Sequence, residues 1–206
     1  MNRVLMFDFD GVIADSLEPF FAGLTTVARR HGLAQLAERD AFLALFDTNL
    51  YAGLRAIGVP DKNLRPFLAD LSADLTVRMN DVTFFPGMAD ALNRLGRAHR
   101  VVIITSNVSA VVTAALARHG VATVEEVLGA DVLPGKVAKI QRVMATAPGA
   151  AGYYIGDTRG DMLEGREAGA RTVAVTWGWH TRERLATAAP DSWAGTPAEL
   201  ERLFVV

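Results

Sequence analysis

Apolar and polar positions along this chain follow two rhythms. Short, nearly continuous apolar runs that end in acids or small residues predict buried strands at Arg3–Phe9, Arg100–Thr105, Thr123–Leu128, Ala151–Gly156 and Arg171–Thr176. Helical spacing fills the gaps at Val108–His119, Lys136–Thr146, Asp161–Ala168 and Thr181–Ala188, each bounded by a Gly or Pro. Strand and helix alternate from residue 100 onward, which predicts right-handed βαβ units and a parallel sheet. Strands this uniformly apolar predict helices on both faces of that sheet.

The stretch from Ser16 to Thr83 breaks the alternation. Its pattern is helical at Leu17–His31, Asp40–Phe46, Leu50–Ile57 and Leu64–Met79, punctuated by Gly32 and Gly58-Val59-Pro60. It holds no convincing strand. An α/β core made of residues 1–15 and 84–206, with a small all-helical domain of residues 16–83 inserted after the first strand, is the expected organisation. At 206 residues the chain is long enough for one domain plus such an insertion.

Composition narrows the function. Half the residues are apolar and 21% are charged, which suits a soluble globular chain. Twenty-one basic against 23 acidic residues leave a formal charge of −2, so no general attraction to nucleic acid or an anionic membrane is expected. No apolar run reaches the roughly 18 residues of a membrane span. The opening MNRVLMFDFDGVIADS carries Asp8, Asp10 and Asp15 where a signal peptide needs its apolar core, so a cytoplasmic location is expected. The absence of cysteine rules out disulfides, thiolate metal sites and cysteine nucleophiles.

Four places carry candidate chemistry. Asp8-Phe9-Asp10-Gly11 ends the first strand, and side chains two apart on a strand share a face. Asp157 and Asp161 flank the turn from AGYYIG into a helix, where helix capping alone would account for one of them well. If both strands belong to one sheet with the first central, four acids meet at its carboxyl edge, where ligands bind in open parallel sheets. Two like charges about 4 Å apart repel by roughly 4 kcal/mol at an effective dielectric near 20, so the cluster calls for protons or a cation. All-oxygen donors without His or Cys suit a hard ion, and Mg²⁺ is the usual one beside phosphate. Thr105-Ser106-Asn107, between a strand and a helix, forms a candidate phosphate cradle of hydroxyls and backbone N–H groups. Only three of the 21 basic residues are lysines; among these Lys136 opens a helix and can turn toward the sheet edge, whereas Lys139 and Lys62 read as solvent-facing.

In order along the chain, DFDGVIADS, VVIITSN, Lys136 and GDTRGD resemble the signature of the haloacid dehalogenase superfamily, and the resemblance extends over essentially the whole chain. The tail VTWGWHTRERLATAAPDSWAGTPAEL is similar to that of phosphoglycolate-phosphatase-like members. The resemblance implies a Rossmann-like parallel sheet with a helical cap over the site, and an Mg²⁺-dependent phosphatase acting on a small phosphorylated metabolite, phosphoglycolate first. It implies Asp8 as the nucleophile that forms an aspartyl-phosphate, and Asp10 as the acid and base. It implies Asp8, Asp10, Asp157 and Asp161 around the metal, and Thr105, Ser106, Asn107 and Lys136 around phosphate. No nucleic acid or membrane partner is implied, and the protein is expected as a monomer or homodimer.

Departures bear on the reaction. Val12 stands where many phosphatases of the group carry Thr, so the motif is equally similar to β-phosphoglucomutase; yet Leu17-Glu18-Pro19-Phe20-Phe21 lacks the histidine that the mutase carries at the cap entry. Asp10 argues against dehalogenases and phosphonoacetaldehyde hydrolases. Lys136 lacks the Pro that commonly follows it. A phospho-acceptor receiver or a silent scaffold of the same fold are the non-enzymatic alternatives, and both predict no catalytic phosphate release. Asp15-Ser16 is a candidate hinge, and Asp47-Thr48-Asn49 a loop facing the site or a helix cap. Arg29, Arg30, Arg55, Lys62 and Arg65 are candidates to meet a substrate carboxylate, although each suits a solvated helix face, and none of the four histidines is assigned a role.

Overall fold

A computed structural model describes residues 3–133 and 135–204. Six strands form one all-parallel sheet: β1 (Arg3–Phe7), β2 (Arg100–Ile104), β3 (Glu126–Leu128), β4 (Ala151–Gly156), β5 (Arg171–Val175) and β6 (Ser192–Ala194). Their order is β3-β2-β1-β4-β5-β6, so β1 is central and lies between β2 and β4. Chain direction across the sheet reverses at β1, and the crevice beyond the carboxyl ends of β1 and β4 is where such sheets bind ligands.

Strand alternation sorts the core into two layers. Leu5, Phe7, Val101, Ile103, Ile155 and Val173 face one side, while Val4, Met6, Val102, Ile104 and Tyr154 face the other. Helices cover both faces: α5 (Met88–Ala98), α6 (Ser109–Arg118), α7 (Lys136–Ala145), α8 (Arg159–Glu167), α9 (Arg182–Ala186) and α10 (Pro197–Arg202). The second layer is closed by Ile140 and Val143 of α7.

Between β1 and α5 stand four helices: α1 (Leu17–Arg30), α2 (Arg39–Ala44), α3 (Leu50–Ala56) and α4 (Asp61–Arg78). The two connections into and out of this helical block pair with each other. Asp15 N donates to Thr83 O at 2.9 Å, Phe85 N donates to Ile13 O at 3.0 Å, and Ala14 bridges Phe84 antiparallel. The block leans on the core through Phe20, Phe42 and Phe46, whose rings lie 5.0, 5.6 and 4.9 Å from that of Trp179.

Several boundaries differ from the pattern-based expectation. β1 stops at Phe7, two residues before the apolar run ends, because Phe9 folds into the turn where Ile13 and Ala14 donate to its carbonyl. β3 is only Glu126–Leu128; just before it Glu125 N still donates to Val101 O at 2.9 Å, while the Thr123 hydroxyl turns to Leu92 O of α5 at 3.0 Å. β6, α5 and α10 lie in stretches for which no element was expected; β6 is three residues long, too short for any period to register. α6 opens at Ser109 rather than 108, and α8 at Arg159, two residues early, through the cap described below. No helix among the described residues is long and apolar enough to cross a membrane.

Candidate active site

The two connections that leave β1 and β4 at the same sheet edge build the site. Asp8 follows β1 directly; its N–H donates to Ile155 O of β4 at 2.9 Å, and its Oδ1 accepts from Phe9 N at 2.8 Å. Asp157 follows β4 and is fully buried. Its Oδ2 accepts from Trp179 N at 2.7 Å, while its Oδ1, also buried, has no hydrogen-bond partner. Gly11 allows this approach: it sits at φ +76°, and a Cβ there would overlap the Asp157 carboxylate.

Asp161 serves two neighbours at once. Thr158 caps α8 by accepting from Asp161 N at 3.2 Å, and Asp161 Oδ2 accepts in return from the Thr158 hydroxyl at 2.7 Å and from Thr158 N at 3.1 Å. Its Oδ1 accepts from Lys136 Nζ at 2.6 Å and from the Tyr154 hydroxyl at 3.2 Å. Lys136 also reaches Asp8 Oδ2 at 2.7 Å. One ammonium at the start of α7 therefore bridges an acid at the end of β1 and one in the first turn of α8.

The charges balance unevenly. Burial raises Asp8 to about 7, and Lys136 only partly offsets that. Burial likewise raises Asp157 well above the ordinary carboxylate value, with Asp161 and Asp8 adding repulsion. Burial opposes ionisation of Asp161 too, but Lys136 and Thr158 outweigh it and hold the group below its ordinary value. Burial opposes the charge on Lys136, and Asp161 with Asp8 more than offsets it. Asp10 rises to about 6 by burial, tempered by Ser16, Lys136 and Asn107. Asp10 Oδ1, Ser16 Oγ and Asn107 Nδ2 are buried without a partner in normal hydrogen-bond geometry.

These residues fit a hard divalent cation. Oxygens of Asp8, Asp157 and Asp161 lie within 4.8 Å of one another, and the Asp157 carboxylate keeps one buried oxygen, Oδ1, with no proton donor of its own. Asp161, by contrast, already has both oxygens engaged.

The expected phosphate cradle is present as a loop with divided duties. Ser106 lines the cavity shared with Asp8, Asp10 and Lys136. Thr105 is fully buried; its hydroxyl accepts from Asn107 N at 3.0 Å, so its own proton is what it has left to give. Asn107 Oδ1 accepts from Val108 N at 2.8 Å, one residue ahead of the helix rather than inside its first turn. Lys139 corrects the expectation of a solvated side chain: it is 2% exposed and donates to Thr105 O at 2.7 Å.

Pattern reading missed three further residues at the site. Glu164, one turn beyond Asp161 on α8, lines the cavity, is raised to about 7 by burial, and accepts from Asn49 Nδ2 at 3.4 Å. Only its helical spacing from Asp161 could have signalled it. His180, fully enclosed, accepts at Nδ1 from Arg159 N at 3.0 Å and contacts Leu43 O through Nε2 at 3.0 Å. That pair of partners calls for a neutral ring carrying its proton on Nε2, consistent with the downward shift that burial imposes. The ring thus ties the start of α8 to the helical block. Trp179 orients Asp157 through its N–H and packs the phenylalanines of the block through its ring.

The loop Asp47-Thr48-Asn49 does both things expected of it. Asn49 caps α3 by accepting from Ala52 N at 2.9 Å, and Thr48 and Asn49 line the cavity. Asp47 receives Arg184 in a two-pronged pair at 2.6 and 2.8 Å, which holds its carboxyl below the ordinary value. Of the basic residues considered for a substrate carboxylate, Arg55 is exposed and paired with Asp61, and Arg29, Arg30, Lys62 and Arg65 are exposed away from the cavity.

Comparison with known proteins identifies the family. The chain is 31% identical over 202 residues to a phosphoglycolate phosphatase of Synechococcus elongatus, covering 96% of this chain and 95% of that one. It is 23% identical over 231 residues to a phosphoglycolate phosphatase of Vibrio parahaemolyticus, covering 99% and 96%. A haloacid dehalogenase-like family hydrolase from Streptococcus pneumoniae superposes with a TM-score of 0.82 at 21% identity, covering 99% of both chains. The sequence profile of the haloacid dehalogenase-like hydrolases matches residues 5–175, and the chain belongs to that family.

Proposed function

We propose that this chain, a phosphatase of the haloacid dehalogenase-like hydrolase family, cleaves the phosphomonoester of a small metabolite through an aspartyl-phosphate on Asp8. The observation that carries the proposal is the ammonium of Lys136, 2.7 Å from Asp8 and 2.6 Å from Asp161, at the edge where Asp157 keeps a buried oxygen free.

In the first half-reaction a carboxylate oxygen of Asp8 bonds to phosphorus as the ester P–O bond breaks. Asp10 gives its proton to the departing alkoxide, and in the second half-reaction takes one from the water that cleaves the acyl phosphate. Its value near 6 suits a group that must both give and accept near neutrality. Lys136 and the Ser106 end of the Thr105–Asn107 loop hold the phosphoryl oxygens, with the Thr105 hydroxyl as a further donor. Asp8, the Asp10 main-chain carbonyl and Asp157 would hold Mg²⁺, with Asp161 behind them keeping Lys136 in place. When bound, the ion supplies positive charge that lets a carboxylate approach a phosphate dianion. Helices α1–α4 act as a cap that excludes bulk water, and the paired connections at Ala14–Asp15 and Thr83–Phe85 are its hinge.

Phosphoglycolate, the substrate in the names of the relatives, is the first ester to try. Phosphate release by the purified chain with Mg²⁺, with chelator, and with Asp8→Asn tests the proposal. Release that needs Mg²⁺ and disappears in the variant is expected; release that survives Asp8→Asn would overturn it.

A further inference from the structure

The catalytic edge opens into two compartments of very different size. The one bounded by Asp8, Asp10, Lys136 and Asp161 is about 60 Å³. The other, about 600 Å³, lies between the helical block and the core, within the size range of small-molecule sites. They adjoin: Phe20, Asn49, Leu50, Ser106, Lys136 and Glu164 line both.

The walls of the larger compartment are chemically one-sided. Leu68, Leu71 and Leu75 of α4 form one side, with Leu50 and Tyr51 of α3 beside them. Asn49 and Ser72 add uncharged polar groups on the side of the helical block, and Ser106 and Asn107 do so on the side of the core. Among the described residues Lys136 is the only cation lining either compartment, and Asp8 and Asp161 already occupy it. The other basic side chains of the block are paired or point to solvent: Arg39 with Glu18, Arg55 with Asp61, Arg78 with Asp74.

We infer that the larger compartment receives the alcohol part of the substrate, and that this alcohol is an uncharged, largely apolar group of several carbons rather than a carboxylate-bearing one. The inference rests on the phosphatase reading for the position of the phosphoryl group. A carboxylate in this space would lose its water against leucines, find no free cation, and face Glu164. An alkyl or alicyclic body would remove apolar wall from water, and a hydroxyl on it could meet Asn49 or Ser72. The departure from the relatives' named substrate lies in α3 and α4, not in the catalytic edge.

Phosphate release from ethyl, butyl and hexyl phosphate, compared with 2-phosphoglycolate, tests this in the full chain with Mg²⁺. The three alkyl esters leave as alkanols of nearly equal acidity, so their series reads the compartment and not the leaving group. We expect kcat/KM to rise about fourfold per methylene and hexyl phosphate to exceed phosphoglycolate at least tenfold. Ser72→Arg, at an exposed position that tolerates the larger side chain, should shift the ratio back toward phosphoglycolate. A flat alkyl series, a wild-type preference for phosphoglycolate, or a Ser72→Arg effect equal on both esters would overturn the inference while leaving the phosphatase reading intact. No release from any ester would overturn both.

Discussion

Lys139 Nζ donates to the main-chain carbonyl of Thr105 at 2.7 Å and is almost wholly enclosed. One turn of α7 therefore carries two ammonium groups with different tasks. Lys136 faces the acids, and Lys139 pins the loop whose Ser106 faces the same cavity.

Lys139→Met leaves that carbonyl without its donor, which costs about 1–3 kcal/mol of stability. Burial, with Lys136 beside it, lowers Lys139 to about 8 from an ordinary value of 10.5. Between those values the unfolded chain holds more protons, so this lysine's contribution to stability rises with pH. Urea unfolding should show the advantage of the wild type over Lys139→Met growing from about pH 8 to 10.5. Kinetically, the freed Thr105–Asn107 loop should raise KM more than it lowers kcat.

Gly160 lies where the helical block meets α8. A Cβ at this position would overlap the Thr48 carbonyl oxygen and crowd that of Phe46. Gly160→Ala should keep the fold, since Ala favours the helix, but push the Thr48 loop off the site. A displacement of 1 Å can cost about 100-fold in rate, and a drop of that order in kcat/KM at unchanged circular dichroism is the expected result.

Arg184 and Asp47 form a half-exposed pair, so breaking it should change stability by less than about 1 kcal/mol. Its effect should appear in substrate binding. Arg184→Ala releases the loop that carries Thr48 and Asn49 to the cavity, and steady-state kinetics should show KM rising several-fold with little change in melting temperature.

Much of this site can be read from the sequence, for a physical reason. Apolar runs that stop at an acid locate strand ends, because buried parallel strands need such runs, and β1 beside β4 brings Asp8 and Asp157 together. Lys136 stood out by rarity and by opening a helix. Lys139 was misjudged because a lysine three residues along a helix usually points outward; that it turns in depends on a carbonyl 34 residues away. His180 carries no pattern signal, since its partners Arg159 and Leu43 are distant in the chain, and Glu164 has only its spacing from Asp161, its partner Asn49 belonging to the helical block. The short β6 pairs with β5 through only three residues and carries no period of its own.

Protons and a divalent cation should compete for the acid cluster. Burial raises Asp8 to about 7 and Asp157 higher than an ordinary carboxylate. From about pH 4 to 7 these two acids therefore bind more protons in the native state than in the unfolded one, and their contribution to stability without metal falls as pH rises. Mg²⁺ replaces those protons, so it should raise the melting temperature more at pH 8 than at pH 5. Equal shifts at the two pH values would argue against ligation by these acids.

The central claim is a covalent bond between Asp8 and phosphorus, and acid quenching during turnover tests it most directly. Peptide mapping of wild-type protein quenched with a labelled phosphomonoester should find one phosphoryl group on the peptide that contains Asp8, and none in Asp8→Asn, whose turnover falls at least 10³-fold while its fold is retained. Label on any other residue, or turnover by Asp8→Asn at the wild-type rate, would contradict it.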